Sequence, residues 1–422
     1  HRDLHSFPTR RSSDLDNIDL STVFWFSFIV SLLLYVLIYI TSDWIAVFFK
    51  EELLSIILKV LSIKLVIGTY NSIQNTIIAK KLMFKINFYT SIIATCISGI
   101  IALYMALKGF GVWSLVIFQV IYQLILAISL FLNLKWIPKF IFSFKRFNEL
   151  YRYGFGILGA NMLSIFSEQI YGLFLGKNYT NSIIGYYQRG QQFPQTIVNS
   201  MNSTINSTLH PYLVNNNDSP EVMTKLIKDV TSGISHIVFP AMLGLYALSY
   251  NLILFLLTDK WINSVKYLRY ESIYYMIIPL LAVYIQANRS LGNSRVSLTI
   301  ELTKLLLIII SLFVGLYSGI DFIMIARIII VFVLLIVTIL INKKILNYSI
   351  IDFIKEIFKP LLSSIIMMIA VSFVGNSSLN LSLKVFLQII VGLIFYFIFM
   401  ILLKSKYALL LIEFIKQKRR KK

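Results

Sequence analysis

The chain of 422 residues is 58% hydrophobic and 14% charged, and its mean hydropathy is +0.79. Soluble proteins are about 45–50% apolar and about 25% charged, so this composition excludes a soluble globular domain and predicts an integral membrane protein. The formal net charge of +20 is typical of two classes, nucleic-acid-binding proteins and membrane proteins with basic cytoplasmic loops. The single cysteine, Cys96, excludes a disulfide within one chain.

The first fifteen residues, HRDLHSFPTRRSSDL, differ in composition from the rest of the chain. They correspond codon for codon to a widely used sequencing-adapter oligonucleotide. We therefore expect residues 1–15 to be an adapter artefact rather than part of the natural protein. No methionine stands near Asp16, which predicts that the natural start of the protein is missing.

Twelve hydrophobic runs of membrane-spanning length follow in chain order, separated by short polar or basic breaks. They lie near 21–40, 53–79, 84–107, 111–134, 154–176, 186–213, 231–257, 272–291, 296–317, 322–341, 360–374 and 381–403. The breaks are too short for a sizeable soluble domain. This pattern predicts an all-α polytopic membrane protein.

Lysine and arginine are distributed unevenly over these breaks. Most of them fall in alternate breaks, such as the one with Lys80 and Lys81, and in the basic C-terminal tail, whereas the intervening breaks hold few, such as Lys108 and Lys177. This asymmetry follows the positive-inside rule and predicts an even number of spans with a cytoplasmic C-terminus. It explains the net charge without a nucleic-acid partner. The tail is interpreted as an orientation signal, with contact to anionic lipid headgroups as the alternative.

The longest break of the first half contains a basic amphipathic stretch, 144–152, which is typical of a segment lying along a membrane surface. We place the boundary between two lobes there. The predicted domains are an N-lobe at 16–134, a cytoplasmic linker at 135–153, a C-lobe at 154–345, an additional helix pair at 346–404 and a basic cytoplasmic tail at 405–422. Weak self-similarity between 106–113 (ALKGFGVW) and 315–322 (GLYSGIDF) indicates a duplication, which is common in transporters.

The run 186–213 differs from the others because one of its faces is polar along its whole length. At helical steps of three and four, this face carries Gln188, Gln192, Gln195, Asn199, Asn202, Asn206 and His210. The stripe is roughly 33 Å long at about 1.5 Å per residue. Amides that face hydrocarbon have no partners, so we predict that the stripe lines a hydrophilic substrate pathway. Hydrogen bonds to neighbouring helices are the alternative.

Ionisable residues within the predicted spans are functional candidates because a charge at membrane depth is costly. They are Lys59, Lys64, Glu168, Arg189, Glu301, Lys304 and Arg327. Arg189 is the main candidate, since it adjoins the stripe and a guanidinium can hold a phosphate through two parallel hydrogen bonds. The alternatives are that Glu301 and Lys304 neutralise each other, and that Lys59 and Lys64 reach the membrane surface.

Motifs of catalytic sites are absent from the sequence. It contains no P-loop and no HExxH, and its histidines outside residues 1–15 are His210 and His236. We therefore predict no enzyme activity, no cofactor and no metal site. Transport would be driven by an ion gradient, the membrane potential or the gradient of the substrate itself.

Three stretches carry a resemblance to a known family: 153–159 (YGFGILG), 170–177 (IYGLFLGK) and 185–194 (GYYQRGQQFP). They resemble the polysaccharide-exporting flippases of the MATE-like multidrug/oligosaccharidyl-lipid/polysaccharide (MOP) superfamily, most closely the Wzx and teichuronic-acid-export branch. In the first half, 21–25 (STVFW) and 108–113 (KGFGVW) are also similar to that branch.

The resemblance implies a V-shaped bundle of two lobes around a central cavity that opens alternately to the two sides of the membrane. It implies fourteen spans, so that the twelve visible here lack the first two. The implied cargo is a polyprenyl-pyrophosphate-linked oligosaccharide that is exported as O-antigen, capsule, exopolysaccharide or teichuronic acid. The implied location is the bacterial cytoplasmic membrane, beside polysaccharide polymerase or assembly proteins.

One residue departs from the family pattern. Tyr171 stands where many relatives carry an acidic residue, and Glu168 lies one turn earlier.

Two other functions are kept as alternatives. A drug/cation antiporter of the same superfamily would depend on a buried carboxylate such as Glu168. A membrane glycan polymerase would have a long outward loop with basic catalytic residues, and the breaks here are short.

Overall fold

A computed structural model describes residues 16–215, 220–290, 294–346 and 348–407. Within these ranges it does not describe the side chains of residues 149–150, 152–158, 160–161, 164, 203–204, 206–208, 210–215, 220, 289, 294–297 and 344–346. The predicted adapter artefact 1–15 and most of the predicted tail, 408–422, lie outside the described residues.

The described residues form α-helices joined by short connections and contain no β-strand. The helices are α1 (Asn17–Phe49), α2 (Leu53–Leu61), α3 (Ile63–Lys80), α4 (Phe84–Leu107), α5 (Val112–Leu134), α6 (Phe144–Asn178), α7 (Asn181–Asn215), α8 (Pro220–Leu257), α9 (Ser264–Ser290), α10 (Ser294–Ser318), α11 (Ile320–Leu346), α12 (Ile350–Gly375) and α13 (Leu381–Leu402). A 3₁₀ turn, Asp259–Trp261, lies between α8 and α9.

Ten segments of the described chain are helical, long enough and apolar enough to cross a membrane, with α2 and α3 counted together as Leu53–Lys80. The chain is therefore a multi-pass membrane protein, as its composition predicted. Helices α6 and α7 are the longest after α8 and are not among these segments of the described chain. Eleven of the twelve predicted runs lie inside one helix to within a residue at either end, and the run 53–79 covers both α2 and α3. The number of membrane spans stays a prediction.

Glycines form two tight turns in corresponding places. Gly109 lies between α4 and α5 with a φ of +83°, and Gly319 lies between α10 and α11 with a φ of +86°. Backbone in this left-handed region favours glycine because it has no Cβ. Both turns belong to the two stretches whose similarity indicated a duplication, and both connect long helices as predicted.

The predicted run 53–79 is interrupted at Ser62, where α2 ends and α3 begins. The Ser62 hydroxyl donates a hydrogen bond to the carbonyl oxygen of Lys59 at 3.0 Å. A serine that bonds to the preceding turn competes with the backbone ladder of a helix. The hydrophobic pattern alone could not show this break because α2 and α3 are both apolar.

The chain divides into two compact units, His1–Gly159 and Ala160–Lys422. The first contains two small apolar clusters, one centred on Phe24 and Ile73 and the other on Ala94 and Leu130. The extended residues before α6 are held against α1, since the indole Nε1 of Trp25 donates to the Lys139 carbonyl at 2.7 Å. Residues 144–153 of the predicted linker form the first turns of α6. The predicted domain boundaries stay predictions.

Ion pairs join the beginnings of α1 and α6 in the first unit. The guanidinium of Arg146 lies 2.5 Å from Asp16 and 3.0 Å from Asp19. Asp16 caps α1, accepting bonds from the backbone of the first turn. The bond from Arg146 lowers the pKa of Asp16 to about 2.

The second unit contains the largest apolar core of the described chain. It is built from α7, α8, α9, α11 and α12, with Met242, Tyr284 and Leu334 among its buried members. Helix α8 packs along α12, and α9 lies against α7, α8 and α11. A second, smaller cluster around Tyr187 and Ile323 joins α6, α7, α9, α10 and α11. These helices carry the candidate site.

Candidate functional site

A polar cavity of about 90 Å³ lies among four helices of the second unit. Helices α6, α7, α9 and α11 contribute its walls. It is lined by Glu168, Gln169, Gly172, Tyr187, Gln188, Gln191, Gln195, Asn199, Asn202, Tyr274, Tyr275, Ile278 and Arg327. Most of its lining residues are therefore amides, tyrosines or charged side chains.

Helix α7 supplies the amide wall of this cavity. Gln188, Gln195, Asn199 and Asn202, four members of the predicted stripe, line it together with Gln191. The Oδ1 atom of Asn202 is buried and has no hydrogen-bond partner among the described residues. A buried acceptor without a partner is costly, so this atom is suited to a ligand that donates a hydrogen bond.

The sequence pattern placed Gln192 rather than Gln191 on the cavity face. In the structure, Gln191 lies in the wall and its Nε2 is 3.3 Å from the hydroxyl of Tyr275. Gln192 is exposed, and its Oε1 accepts a hydrogen bond from Arg189 at 2.8 Å. Neighbouring residues point about 100° apart on a helix, so packing against α9 decides which of the two glutamines lines the cavity.

Arg327 of α11 forms one end of the cavity and is buried. Its guanidinium pairs with the buried carboxylate of Glu271 on α9 and donates a hydrogen bond to the hydroxyl of Tyr187 at 2.8 Å. It also lies 3.8 Å from the ring centroid of Tyr274 and 4.9 Å from that of Tyr171. The cation is therefore compensated by one carboxylate and enclosed by aromatic rings.

Glu271 was not among the predicted site residues, because it lies just before the predicted run 272–291. Glu271 is 1% exposed, the least of the carboxylates paired with a cation in the described chain. The sequence does contain a signal for it. Glu271 lies two residues after Arg269 and shortly before Tyr274 and Tyr275, in a helix that is apolar further along. Its pairing with Arg327, 56 residues later, is a tertiary contact.

The chemistry of the cavity follows from this pairing. Because Glu271 neutralises Arg327, the cavity has no uncompensated buried cation among the described residues. Glu168, which lines the cavity from α6, is exposed. Amides both donate and accept hydrogen bonds, and tyrosines add hydroxyls and flat apolar rings. Such a surface is suited to a neutral polyhydroxylated molecule rather than to a strongly charged one.

Arg189, the main candidate cation, lies outside the cavity lining. It is exposed on α7, and its guanidinium carbon is 5.2 Å from the ring centroid of Trp261 in the 3₁₀ turn. Arg189 donates a hydrogen bond to the neutral Gln192. It forms no ion pair in the described part of the chain. Its charge is therefore available to an anion, and the predicted role of Arg189 in holding phosphate stays a prediction.

The other predicted charged residues, apart from Glu168 and Arg327, are not lining residues of the cavity. Lys304 lies 2.6 Å from Glu301 on α10. In the first unit, Lys59 lies 3.0 Å from Asp43, and Lys64 donates to the side-chain oxygen of Gln119 at 2.7 Å. The mutual neutralisation of Glu301 and Lys304 was one of the two interpretations of that pair.

Two members of the predicted stripe, Asn206 and His210, have side chains outside the described residues. No group of three or more histidine, cysteine, aspartate or glutamate residues in the described chain could hold a metal ion.

A family model described as "Polysaccharide biosynthesis protein" matches residues 9–266 of the chain. The match covers more than half of the sequence, including α7 and the amide wall. The chain belongs to this family. The resemblance read from the motifs in 153–194 is thereby confirmed.

Two curated proteins are similar to this member of the polysaccharide biosynthesis family. The teichuronic acid biosynthesis protein TuaB of Bacillus subtilis is 23% identical over 316 residues, 72% of this chain and 64% of TuaB. The succinoglycan biosynthesis transport protein ExoT of Rhizobium meliloti is 21% identical over 240 residues, 57% of this chain and 49% of ExoT. The matches thus span less than two thirds of the length of either relative.

The fold of this family member is similar to that of a solved structure. The lipid II flippase MurJ in an inward closed conformation matches with a TM-score of 0.73 at 17% identity, covering 93% of this chain and 86% of MurJ. At this identity the match is evidence for the fold. It confirms the predicted fold class, an all-α polytopic membrane protein, and shows that the helix bundle shares the fold of MurJ.

Proposed function

We propose that the protein is a flippase that moves a polyprenyl-pyrophosphate-linked oligosaccharide across the bacterial cytoplasmic membrane for surface polysaccharide export. The glycan contacts the amide wall of α7, and the polyprenyl chain stays in the lipid. Arg189, exposed beside this wall, attracts the pyrophosphate. The protein carries out no covalent chemistry in this proposal.

The observation that carries the proposal is the amide wall of the cavity. Gln188, Gln191, Gln195, Asn199 and Asn202 present hydrogen-bond donors and acceptors to the cavity from α7. Sugar hydroxyls need both donors and acceptors, and the rings of Tyr274 and Tyr275 offer surfaces on which a sugar ring can stack. A cavity without an uncompensated buried cation among its described residues suits the uncharged part of the cargo.

The relatives support the same cargo class. Family membership links the chain to polysaccharide biosynthesis. TuaB is named for teichuronic acid biosynthesis, ExoT for succinoglycan transport and MurJ for lipid II flipping. Each name refers to a glycan or to a lipid-linked glycan. We place the C-terminus on the cytoplasmic side from the distribution of lysine and arginine, and propose polysaccharide polymerase or assembly proteins as neighbours.

The drug/cation antiporter is the less favoured alternative. Antiport of a cation through this cavity would use a buried, uncompensated carboxylate. Glu168, which lines the cavity, is exposed, and Glu271 is paired with Arg327 of the lining. Neither has the environment that cation binding requires.

The test measures polysaccharide export in cells that lack their own flippase and express this protein. We expect Asn199→Ala/Asn202→Ala to reduce export about tenfold or more, because two hydrogen-bonding groups of the wall are lost. Arg189→Ala is expected to reduce export by a similar factor, since one charge-assisted contact to phosphate is removed.

The matched control is Thr196→Ala/Ser200→Ala. Both residues are exposed on α7, lie outside the cavity lining and bond to the backbone one turn earlier. Export should stay at the level of the unmodified protein. Normal export by both the Asn199/Asn202 and the Arg189 variants would refute the proposal, and resistance to a cationic drug that depends on Glu168 would favour the antiporter.

A further inference from the structure

A second cavity, of about 490 Å³, lies between α8 and α9 in the second unit. It is separate from the polar cavity and shares none of its lining residues. Its walls are Tyr246 and Tyr250 of α8, Ile262 and Asn263 of the connection, and Val265, Lys266, Arg269, Tyr270 and Ile273 of α9. We name it the interfacial groove.

The groove lies at one membrane boundary. Helices α8 and α9 are both apolar enough to span the membrane, and they end at Leu257 and begin at Ser264. At about 1.5 Å per residue, Tyr250 and Arg269 are roughly 10 Å or less from these ends. The groove therefore reaches from the polar headgroup layer into the outer part of the hydrocarbon.

Arg269 supplies the uncompensated charge of the groove. Its Nε donates to the hydroxyl of Ser249 at 2.9 Å, which leaves its terminal nitrogens unused by that bond. Its guanidinium carbon lies 5.5 Å from the ring centroid of Tyr246. It is exposed and forms no ion pair within the described chain, whereas Lys266 is 3.2 Å from the carboxylate of Asp321.

The composition of the groove matches one kind of ligand. An arginine with free donors binds a phosphate through parallel hydrogen bonds. Tyrosines such as Tyr246, Tyr250 and Tyr270 are amphipathic and favour the level of the headgroups. Ile262, Val265 and Ile273 add apolar surface for the first carbons of an acyl chain. A ligand that combines a phosphate with an apolar chain satisfies all three features.

We propose that the interfacial groove binds the phosphate headgroup of an anionic membrane lipid, with Arg269 as the main contact and Lys266 as the second. The site is independent of the amide wall. Failure of the flippase proposal would leave it intact, since its ligand is a component of the membrane.

The experiment uses native mass spectrometry of the purified protein with phosphatidylglycerol or phosphatidylcholine added. We expect retention of phosphatidylglycerol in preference to phosphatidylcholine, and about tenfold weaker retention in Arg269→Gln, because one charge-assisted contact is lost. Lys266→Gln should weaken retention by about threefold, since the Lys266 charge is partly compensated. Because Lys266 is exposed, Lys266→Gln still tests the proposal if Arg269→Gln does not fold.

Lys260→Gln is the matched control. Lys260 is an exposed lysine of the same connection but does not line the groove, so its removal should leave lipid retention unchanged. An equal loss in Lys260→Gln would overturn the proposal in favour of general surface charge. Unchanged retention in both groove variants would overturn it as well. Binding of inorganic phosphate without any retention of phosphatidylglycerol would also overturn it, by assigning the site to the free anion.

Discussion

Arg327→Met is expected to lower the free energy of unfolding by about 3–5 kcal/mol, the usual cost of leaving one partner of a buried ion pair alone. Glu271 is 1% exposed, and its paired cation would be gone. The hydrogen bond from Arg327 to Tyr187 would be lost at the same time. The measurement is unfolding of the purified protein in detergent, followed by loss of helical signal against denaturant.

A double variant tests the physical reason. Glu271→Leu/Arg327→Met removes both charges and fills the space with apolar atoms, which is often neutral or stabilising for a buried pair. We expect it to recover most of the stability that Arg327→Met loses. If the double variant is as unstable as the single one, the loss comes from the contacts of Arg327 with Tyr171 and Tyr274 rather than from the isolated charge.

A surface ion pair provides the matched control. Lys406 pairs with Asp229, and both side chains are largely exposed, at 59% and 41%. Lys406→Met should therefore change the free energy of unfolding by less than about 1 kcal/mol. An effect as large as that of Arg327→Met would show that burial is not the cause of the difference.

Gly190→Ala is expected to destabilise the protein by about 1–3 kcal/mol or more and to reduce export. A Cβ on Gly190 of α7 would lie 2.6 Å from the backbone nitrogen of Leu268 and 2.7 Å from the Cβ of Tyr267, both on α9. Backbone atoms cannot turn aside as a flexible side chain does. The two helices must therefore move apart, which is the usual cost of adding a methyl group to a filled core.

The effect should extend to the cavity because α7 and α9 both line it. A small separation of the helices would move Gln191 away from Tyr275, whose hydroxyl lies 3.3 Å from its Nε2. Unfolding in detergent and polysaccharide export of the same variant measure the two effects side by side. Reduced stability with normal export would show that the cavity tolerates the movement.

Gly244→Ala of α8 is the control for this variant. Its Cβ would meet the methyl carbon of Met367 at 3.7 Å, an ordinary contact with a flexible side chain. Alanine favours a helix interior over glycine by about 0.5–1 kcal/mol, so Gly244→Ala should be neutral or slightly stabilising. Equal stability of the Gly190 and Gly244 variants would contradict the close approach of α7 to α9.

The sequence predicted features that depend on local periodicity and composition. The period of α7 placed Gln188, Gln195, Asn199 and Asn202 on one face, and these four do line the cavity. The apolar runs coincide with helices because a backbone in hydrocarbon must satisfy its own hydrogen bonds.

The sequence could not predict contacts between helices that lie far apart along the chain. The helical period of a sequence does not fix the rotation of a helix about its axis to within one residue. Gln192 was therefore expected in the wall, whereas packing against α9 places Gln191 there. Likewise Arg327 was identified as a costly charge, but its partner was not, because Glu271 lies on another helix at the edge of an apolar run.

The sequence by itself thus determined that this protein is a membrane-spanning helical bundle with a polar face on α7. Burial of apolar surface and internal hydrogen bonding are properties of each helix separately, and they can be read along one stretch of chain. Only the tertiary structure decided that Arg327 is neutralised by Glu271 and that Arg189 lies outside the cavity. Charge compensation depends on distances between helices, and those distances are set by packing.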